Sequence, residues 1–362
     1  MKTSNKKMFV GTLWLSLMLA LTVSGCCVHE FPEDKRERVD LVMHLNFDTE
    51  MPIYEQIDYT SSATQHTQSP QSLKPHCIRY QIKAYRMDDQ RIENRQADTT
   101  IVFTREYTED LNYTVNLSMY EGDYTFQVWV DYVDAGSKKD KYYNTSNFEE
   151  IILKSEQPHY GSTDYRDAFR GYAATQVINT QYYSNVSQQS TLNEVTVMMQ
   201  RPMGKYKFIS TDVEAFVMKL REQMGMEDPP HDGSLMNDID FNEFRVVFRY
   251  NGFMPCSFNM FTDKPADSWT GIWFESKMML ENELEMNLGF DYLFVNGSET
   301  TASISLEVYD KNGELLSATT PKDVPVVRSK LTIVKGDFLT SIATGGIGIN
   351  PGYDGDDYNV EL

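Results

Sequence analysis

The fold is indicated most clearly by residues 111–132, which read Leu-Asn-Tyr-Thr-Val-Asn-Leu-Ser-Met-Tyr-Glu-Gly-Asp-Tyr-Thr-Phe-Gln-Val-Trp-Val-Asp-Tyr. Large apolar residues occupy every second position on both sides of the turn at residues 121–123. A period of two places alternate side chains on opposite faces of a strand. The stretch therefore predicts a meander of strands with one buried face, which is typical of an antiparallel sheet.

The same alternation extends in both directions along the chain. It predicts further strands at Val39–Phe47, Ile78–Ala84, Leu192–Met199 and Tyr206–Ile209. Residues 58–76 are rich in Ser, Thr and Gln and predict a long loop. Residues 134–190 are polar, and we expect an insertion between strands there, with one helical turn near residues 164–170.

One helix is predicted, beginning at residues 211–214. Thr211-Asp-Val-Glu has the pattern of a capping box, in which the side chains of the first and fourth residues bond to backbone N–H groups. An apolar stripe at helical spacing follows, made of Val213, Phe216, Val217, Leu220 and Met224. Gly225 is expected to end the helix.

Three Asn-Gly pairs predict hairpin turns, because both residue types tolerate positive φ angles. Asn251-Gly252 is expected to join strands Phe244–Tyr250 and Phe253–Phe261. Asn296-Gly297 and Asn312-Gly313 are expected to bound the strand Ala302–Tyr309. The last strands are predicted at Val326–Val334 and around Phe338–Ile349.

The fold class that follows is mainly β, with two sandwich-like units in tandem and one helix in the second. A length of 362 residues suits two domains of ordinary size. Pro202 interrupts two strand-like runs, which places the boundary between residues 39–200 and 201–362.

The charge of the chain limits its partners. It has 33 basic and 53 acidic residues, for a formal net charge of −20. Nucleic acids and anionic bilayers attract clusters of Lys and Arg, so this balance opposes binding to either. Cys77 and Cys256 lie far apart in the sequence, and we expect isolated buried thiols rather than a disulfide framework.

The N-terminus has the pattern of an export signal. Three lysines precede an apolar run of about 16 residues, which is shorter than the roughly 20 that a membrane-spanning helix needs. The run ends in Thr-Val-Ser-Gly-Cys at residues 22–26, the lipobox pattern of bacterial lipoprotein precursors. We therefore expect residues 1–25 to be removed and Cys26 to be lipidated, although an ordinary cleaved signal peptide is the alternative.

Residues 26–38 are charged, contain a proline and predict a short tether. Glu30, Glu33 and Asp34 follow the lipidated cysteine. They resemble the acidic surface-export signal of some Gram-negative lipoproteins, and a plain hydrophilic spacer explains them equally well. The expected location is the outer membrane, with the protein lipid-anchored and exposed at the cell surface.

The sequence contains no pattern typical of an active site. Its six histidines lack metal-ligand spacing, and no Gly-x-Ser-x-Gly elbow is present. Among 53 acidic residues no catalytic pair can be singled out. We expect no enzymatic activity, no metal and no cofactor.

Four further features have both a functional and a plain structural interpretation. Gly345–Gly348 lacks the Lys-Ser/Thr of a phosphate-binding loop, so we expect a flexible connection between strands there. Asp354–Asp357 lacks the spacing of a calcium loop, so we expect a solvated turn before a final strand. Trp129, Trp269 and Trp273 could form a sugar-stacking platform, but core packing is the expected role. Asp98-Thr-Thr resembles an O-glycosylation signal of exported Bacteroidetes proteins, which makes Thr99 a candidate site.

Several runs together resemble a known family, the fimbrillin-like lipoproteins of Bacteroidales pili. The similarity is greatest to the FimB-type fimbrial anchor subunits. The runs are residues 28–32, 45–52, 124–132, 331–340 and 345–356, so they spread over essentially the whole mature chain.

The resemblance implies two tandem transthyretin-like β-sandwich domains and a position at the base of a fimbria. It also implies partnership with other fimbrial subunits by exchange of β-strands, with the residues after Leu331 as the candidate donated strand. Cys26 occupies the position of the lipidated cysteine.

The resemblance leaves the type of subunit open. Stalk subunits of this family are cut after an arginine and lose their lipid, and Arg36 and Arg38 offer such a site before the first strand. Arg86, Arg91 and Arg95 lie in a second polar stretch. In an anchor these arginines stay uncut. A different alternative is a surface glycan-binding lipoprotein for nutrient capture, suggested by the same anchor and by the 22 Tyr and 19 Phe residues.

Overall fold

A computed structural model describes residues 37–58, 76–87, 96–154, 158–179, 193–226, 239–282 and 284–341. The chain divides into two units, Met1–Arg38 and Val39–Leu362. Only Glu37 and Arg38 of the first unit lie within the described residues. The fold described below is that of the second unit.

Strands make up most of the described chain. Along the first half they are Arg38–Phe47 (β1), Ile53–Asp58 (β2), His76–Arg86 (β3), Thr99–Glu106 (β4), Tyr113–Tyr120 (β5), Gly122–Asp134 (β6), Tyr143–Asn144 (β7), Ile151–Leu153 (β8), Phe169–Ile178 (β9), Asn193–Gln200 (β10) and Met203–Ser210 (β11). Along the second half they are Arg245–Tyr250 (β12), Met254–Pro255 (β13), Ser257–Asn259 (β14), Lys264–Pro265 (β15), Ser268–Trp269 (β16), Trp273–Ser276 (β17), Met279–Asn282 (β18), Glu285–Phe294 (β19), Glu299–Tyr309 (β20), Leu315–Ala318 (β21), Lys322–Val327 (β22) and Leu331–Gly336 (β23). Two 3₁₀ turns lie at Asp164–Arg166 and Phe241–Glu243.

The first large sheet has seven strands in the order β4-β3-β6-β9-β10-β1-β5. Its buried face carries the alternating apolar residues of β1, β3, β6 and β10, as the period of two predicts. β9 was not predicted, because residues 134–190 were expected to form an insertion without strands. β9 contains Gly171, where a Cβ atom would lie 2.3 Å from Met199 Sδ and 2.6 Å from Val197 Cγ1. The close approach of β9 to β10 therefore requires glycine there.

The second face of this sheet differs from the prediction. We expected it to face solvent, but Arg79, Gln81, Lys83, Gln127 and Asp131 on β3 and β6 are each 9 % exposed or less. We call these five residues the polar face. Segment 140–148 covers part of it, and each covered side chain gains a specific partner. The sequence of β3 alone could not reveal this cover, because it comes from a distant part of the chain.

Two five-stranded sheets form around residues 203–339. One has the order β18-β19-β11-β23-β2, and the other has the order β17-β12-β20-β21 with β22 also paired to β20. Their inner faces share one apolar cluster, in which the rings of Phe208 on β11 and Phe248 on β12 lie 5.7 Å apart between centroids. β13 and β16 form a small pair, and β15-β14-β8-β7 form a four-stranded sheet.

The predicted class, mainly β, is confirmed, but the sheets are not wholly antiparallel. β1 pairs in parallel with β10, and β23 pairs in parallel with both β11 and β2. Parallel neighbours need long connections, so no local pattern marks them. The tandem transthyretin-like arrangement and the boundary between residues 39–200 and 201–362 stay predictions. β2 and β8, from the first range, pair with β23 and β14 from the second.

One helix, α1, spans Val213–Gln223, and Gly225 ends it with a φ of +66°. Its buried stripe is the predicted one except for Met224, which is 53 % exposed. The predicted capping box is wrong. Asp212 is the N-cap and makes no side-chain cap bond; its carboxylate instead accepts from Thr340 N at 2.7 Å and Thr340 Oγ1 at 2.6 Å. These tertiary bonds fix the C-terminal segment against the start of α1.

Only one of the three predicted Asn-Gly hairpins is confirmed. β20 and β21 pair across the turn that contains Asn312-Gly313. Asn251-Gly252 follows β12, but β12 pairs with β17 and β20 instead of β13. Asn296-Gly297 connects β19 to β20, which belong to different sheets. Each of these two Asn-Gly pairs therefore lies in a connection between strands of different sheets, not in a hairpin.

Two other predictions at the C-terminal end can be judged. The single predicted strand Val326–Val334 is two strands, β22 and β23, separated by a turn in which Ser329 has a φ of +57°. The predicted strand around Phe338–Ile349 is not found in the part that is described, where residues 337–341 are not in a strand. Cys77 and Cys256 are free and buried, as expected, and burial raises the pKa of the Cys256 thiol to about 12.

Candidate functional site

Among the described residues, no three His, Cys, Asp or Glu side chains come together as a possible metal site. His44 bonds Thr114 at 3.0 Å, and His76 stacks on Tyr165 with centroids 3.5 Å apart. His44 on β1 and His76 on β3 are separated by three strands of the sheet, so they do not form one site.

The third described histidine belongs to a group that we call the buried hub: His159, Arg166, Tyr206, Tyr250 and Asp291. The Arg166 guanidinium pairs with the Asp291 carboxylate, and their side chains are only 2 % and 1 % exposed. Tyr250 donates to Asp291 Oδ2 at 2.6 Å, and its hydroxyl lies 2.8 Å from that of Tyr206. Arg166 also contacts the His159 ring. The hub thus joins the 159–166 segment to β11, β12 and β19.

Protonation equilibria in the buried hub follow from this geometry. Burial and the nearby Arg166 cation lower the pKa of His159, so the ring stays neutral. Burial alone would raise the pKa of Asp291, but Arg166 and His159 lower it and hold the carboxylate charged. The hub is therefore a buried, charged network. Its role in the described structure is to hold the fold together.

A cleft of about 1000 Å³ lies beside the buried hub. Its ion pairs are Arg245–Glu275 at 2.6 Å and Lys311–Glu243 at 2.9 Å. Ser162 Oγ lies 2.8 Å from Ser276 Oγ and accepts from Phe290 N at 3.1 Å. These polar groups bond to one another, and no buried side-chain acceptor or donor of the lining is left without a partner. The cleft therefore has no unpaired buried side-chain donor or acceptor that would need a ligand as its partner.

A second cavity, of about 350 Å³, opens at the end of the polar face. Its wall includes Gln127, Arg170 and Tyr172 from the seven-stranded sheet, together with Phe261 and Asp263 from the β14–β15 turn. No motif in the sequence pointed to it, because its residues come from four distant segments, β3, β6, β9 and the β14–β15 turn. The only available signal was the polar position Gln127 within the otherwise apolar run of β6.

A sheet edge is the feature most relevant to assembly. β2 pairs on one side with β23 and is the last strand of its sheet. It exposes apolar side chains, with Ile53 59 % and Tyr54 41 % exposed. An edge strand offers unpaired backbone groups to another chain, and exposed apolar residues on it favour pairing.

The predicted donated strand is only partly described. Leu331–Gly336 is β23, an interior strand between β11 and β2, and Leu331, Thr332 and Val334 are buried. That part of the segment cannot be given to a neighbour without breaking two ladders of its own sheet. The remainder, residues 342–362, lies outside the described residues, as do Gly345–Gly348 and Asp354–Asp357.

The other predicted residues are placed as follows. Cys26, the signal peptide, Arg36, Arg91 and Arg95 lie outside the described residues. Thr99 is described: it begins β4, is partly exposed, and its hydroxyl donates to Asp98 Oδ2 at 3.2 Å. Its modification stays a prediction. No helix among the described residues has the length and hydropathy to cross a membrane.

The three tryptophans do not form a platform. Trp129 is fully buried, with its ring in an edge contact with Tyr143 at 5.4 Å between centroids. Trp269 and Trp273 are partly buried on β16 and β17, strands that belong to different sheets. The expected core role is confirmed for Trp129.

Comparison with solved structures finds fimbrial proteins. The fimbrial anchor protein Mfa2 of Porphyromonas gingivalis is 10 % identical, with a TM-score of 0.35 and coverage of 77 % of this chain and 82 % of that one. The tip fimbrial protein Mfa3 of the same organism, with a C-terminal truncation, is 9 % identical, with a TM-score of 0.36 and coverage of 80 % and 81 %. Both are of the class that the sequence resemblance named. At these values the likeness carries no argument about this chain's function.

No curated protein matches the sequence. One family model does match, over residues 36–362, which includes the last three residues of the predicted tether and all of the chain that follows it. Its description is "Family of unknown function (DUF6562)". The chain therefore belongs to the DUF6562 family.

Proposed function

We propose that this protein is a structural subunit of a fimbria, anchored in the outer membrane by lipid on Cys26 and joined to a neighbouring subunit by β-strand pairing. The observation that carries the proposal is the edge of β2, where Ile53 and Tyr54 are exposed and no strand of the described residues pairs with the outer side. A strand from a neighbour can add there by main-chain hydrogen bonds, with its side chains in contact with these two residues. The lipobox at residues 22–26 supplies the attachment.

The neighbouring subunit would pair with an edge strand, β2, that can be displaced at a small cost in free energy. β2 has a register shift between Ile53 and Glu55, and the side chains of Ile53 and Tyr54 are 59 % and 41 % exposed. An incoming strand can therefore extend the sheet beyond β2 or replace β2 beside β23. In both cases the new strand lies at the edge of the sheet that contains β11 and β19.

A charge substitution at the edge tests the pairing. Ile53→Lys with Tyr54→Lys places two charges where the neighbour's strand would lie, while the exposed positions leave the core unchanged. We expect the variant to reach the membrane but to lose co-purification with fimbrial subunits. Leu315→Lys is the matched control, because Leu315 is 52 % exposed on β21. Normal incorporation of the double variant would rule out this edge.

The anchor role has a separate test. N-terminal analysis and intact mass of the membrane protein should give an acylated chain that starts at Cys26. A chain that starts after Arg36 or Arg38 would identify a processed stalk subunit instead. In a deletion strain we expect released fimbriae or fimbriae of uncontrolled length; unchanged attachment and length would eliminate the anchor role.

A further inference from the structure

The three Asn-Gly pairs of the chain, at residues 251–252, 296–297 and 312–313, share a chemical liability. The backbone nitrogen of the glycine can attack the Cγ atom of the asparagine and displace the side-chain nitrogen. Glycine favours this reaction, because it has no side chain to shield its nitrogen and its backbone adopts many conformations. The sequence is the same at all three pairs, so the hydrogen bonds around each pair decide how readily it reacts.

The pair at Asn312 is held by Asp310. Asn312 Nδ2 donates to Asp310 Oδ2 at 2.9 Å, and Asn312 N donates to Asp310 Oδ1 at 2.9 Å. Gly313 N, the attacking atom, donates to Asp310 O at 3.1 Å. Both the side-chain amide and the attacking nitrogen must therefore give up a hydrogen bond before they can react.

The pair at Asn251 is held by β20 and by its own strand. Asn251 Nδ2 donates to Ser305 Oγ at 3.0 Å and to Arg249 O at 3.3 Å. Asn251 N donates to Ser303 O at 2.9 Å, which fixes the backbone as well. Ser305 is only 9 % exposed, so water competes little for its hydroxyl. Rotation of the Asn251 side chain towards the glycine breaks these amide bonds.

The pair at Asn296 has none of this protection. Asn296 and Gly297 are both exposed, in the turn between β19 and β20. In the part of the chain that the structure describes, neither the Asn296 side chain nor the Gly297 N–H makes a hydrogen bond. Gly297 has a φ of +76°, and a Cβ atom built on it would have no neighbour within 4 Å. The attacking nitrogen and the amide are thus open to each other and to water.

The residues on either side of this turn are fixed by one arginine. Val295 O accepts from Arg328 Nη2 at 3.2 Å, and Ser298 O accepts from Arg328 N at 2.9 Å. The Arg328 guanidinium is in turn held by the Asp263 carboxylate at 2.9 and 3.0 Å. The open Asn-Gly pair therefore lies between two anchored carbonyl groups.

We propose that Asn296 is a site of spontaneous deamidation. Gly297 N forms a bond to Asn296 Cγ and the Cγ–Nδ2 bond breaks; Nδ2 leaves as ammonia, carrying the proton that Gly297 N has lost. Water then opens the succinimide ring at either carbonyl group. One opening gives an aspartate at position 296, and the other gives an isoaspartate, whose main chain passes through Cβ and is longer by one atom.

Both products change the turn between the two five-stranded sheets. Each adds a negative charge at an exposed position that was neutral. Isoaspartate also lengthens the main chain between the two carbonyl groups that Arg328 holds, so the turn has to bulge outward or give up one of these bonds. No residue of β2 takes part, so the modification is independent of the edge proposed for assembly.

Peptide mapping by mass spectrometry measures the reaction at each pair. The full chain is incubated folded in detergent and unfolded in urea, at the same pH and temperature. In urea the three pairs should react at similar rates. In the folded protein Asn296 should keep nearly its unfolded rate, whereas Asn251 and Asn312 should be slowed at least about fivefold, the equivalent of one hydrogen bond of about 1 kcal/mol.

Two variants test the assignment. Asn296→Gln should abolish the reaction at position 296, because the ring would need an additional atom and closes far more slowly. Ser305→Ala removes a partner of the Asn251 amide, so the folded rate at Asn251 should rise towards that at Asn296, which should itself stay unchanged. The proposal is overturned if folded Asn296 reacts no faster than Asn251 and Asn312, or if Ser305→Ala leaves the rate at Asn251 unchanged.

Discussion

The buried hub and the polar face both place charged residues out of contact with water, but they do so in different ways. In the hub a single carboxylate, Asp291, serves Arg166, Tyr250 and His159, and both charged side chains of the pair are at most 2 % exposed. On the polar face Arg79 has two carboxylates, Asp131 and Asp140, and the side chain of Asp140 is 29 % exposed.

The two regions differ in how much of their stability depends on a single carboxylate. Removing one partner of a buried ion pair leaves the other charge uncompensated. Within the part of the chain that the structure describes, Asp291 is the one carboxylate that pairs with Arg166, whereas Arg79 on the polar face pairs with both Asp131 and Asp140. We therefore expect the hub to control stability and the polar face to tolerate change.

The largest expected effect is that of Asp291→Asn. The substitution keeps the shape of the side chain but leaves the Arg166 cation buried without its counter-ion, so the free energy of unfolding should fall by about 3–5 kcal/mol. Urea unfolding followed by tryptophan fluorescence measures it. Glu299→Gln, at an exposed position on β20, should change stability by less than about 0.5 kcal/mol. A loss for Asp291→Asn below about 1 kcal/mol would contradict the proposed weight of the hub.

Asp131→Asn on the polar face should have a smaller effect, about 2 kcal/mol, because Asp140 remains 2.7 Å from Arg79 Nη1. In the double variant Asp131→Asn with Asp140→Asn, Arg79 has neither carboxylate. We expect its loss to exceed the sum of the single losses, as is found for residues that share a partner. Strictly additive losses in urea unfolding would show that Asp140 is no substitute for Asp131.

The hub also predicts a pH dependence. In the unfolded chain His159 protonates near pH 6.5, but in the folded protein its pKa is lowered by burial and by Arg166. Below about pH 6.5 the unfolded state therefore binds more protons, and stability falls as the pH decreases, by at most about 1.4 kcal/mol per pH unit. The difference in unfolding free energy between the wild type and His159→Gln, measured from pH 7.5 to 5, should shrink towards acid. A constant difference would show that His159 does not titrate differently on folding.

The smallest effect is expected for an ion pair on the surface. Its coupling energy serves as a reference for the ion pairs of the buried hub and the polar face. Arg249 donates to both carboxylate oxygens of Glu307 at 2.9 Å, and the two side chains are 44 % and 24 % exposed. A double-mutant cycle with Arg249→Met and Glu307→Gln should give a coupling of about 1 kcal/mol or less, reduced further by added salt. A salt-independent coupling as large as that in the hub would remove the distinction between buried and surface pairs.

The sequence predicted best those elements whose own periodicity matches their burial. Val39, Leu41, Met43 and Leu45 alternate and are all buried, and the stripe Val213, Phe216, Val217 and Leu220 lies on the buried side of α1. In both cases one face of the element packs on the nearest core. The periodicity of the sequence is then sufficient to predict which face of the element is buried.

Elements placed by distant partners could not be predicted. β9 has Gly171 and Ala173 at buried positions where a clean alternation would have large apolar residues, and its position depends on contacts with β6 and β10. The buried hub was missed for the same reason, since Arg166 and Asp291 are 125 residues apart. The cavity likewise depends on the β14–β15 turn meeting the seven-stranded sheet. Local sequence carries no signal for such meetings.

The placement of β1 has a mechanical consequence. β1 lies between β10 and β5 and is parallel to β10 over seven residue pairs, from Leu41↔Asn193 to Phe47↔Met199. If tension enters through Cys26, it reaches this strand first and pulls it along its own axis. The ladder bonds on both sides are then loaded in shear and must give way together, whereas an edge strand such as β2 can peel off one bond at a time. The strand nearest the anchor would thus resist being pulled out while the edge proposed for assembly stays easy to exchange.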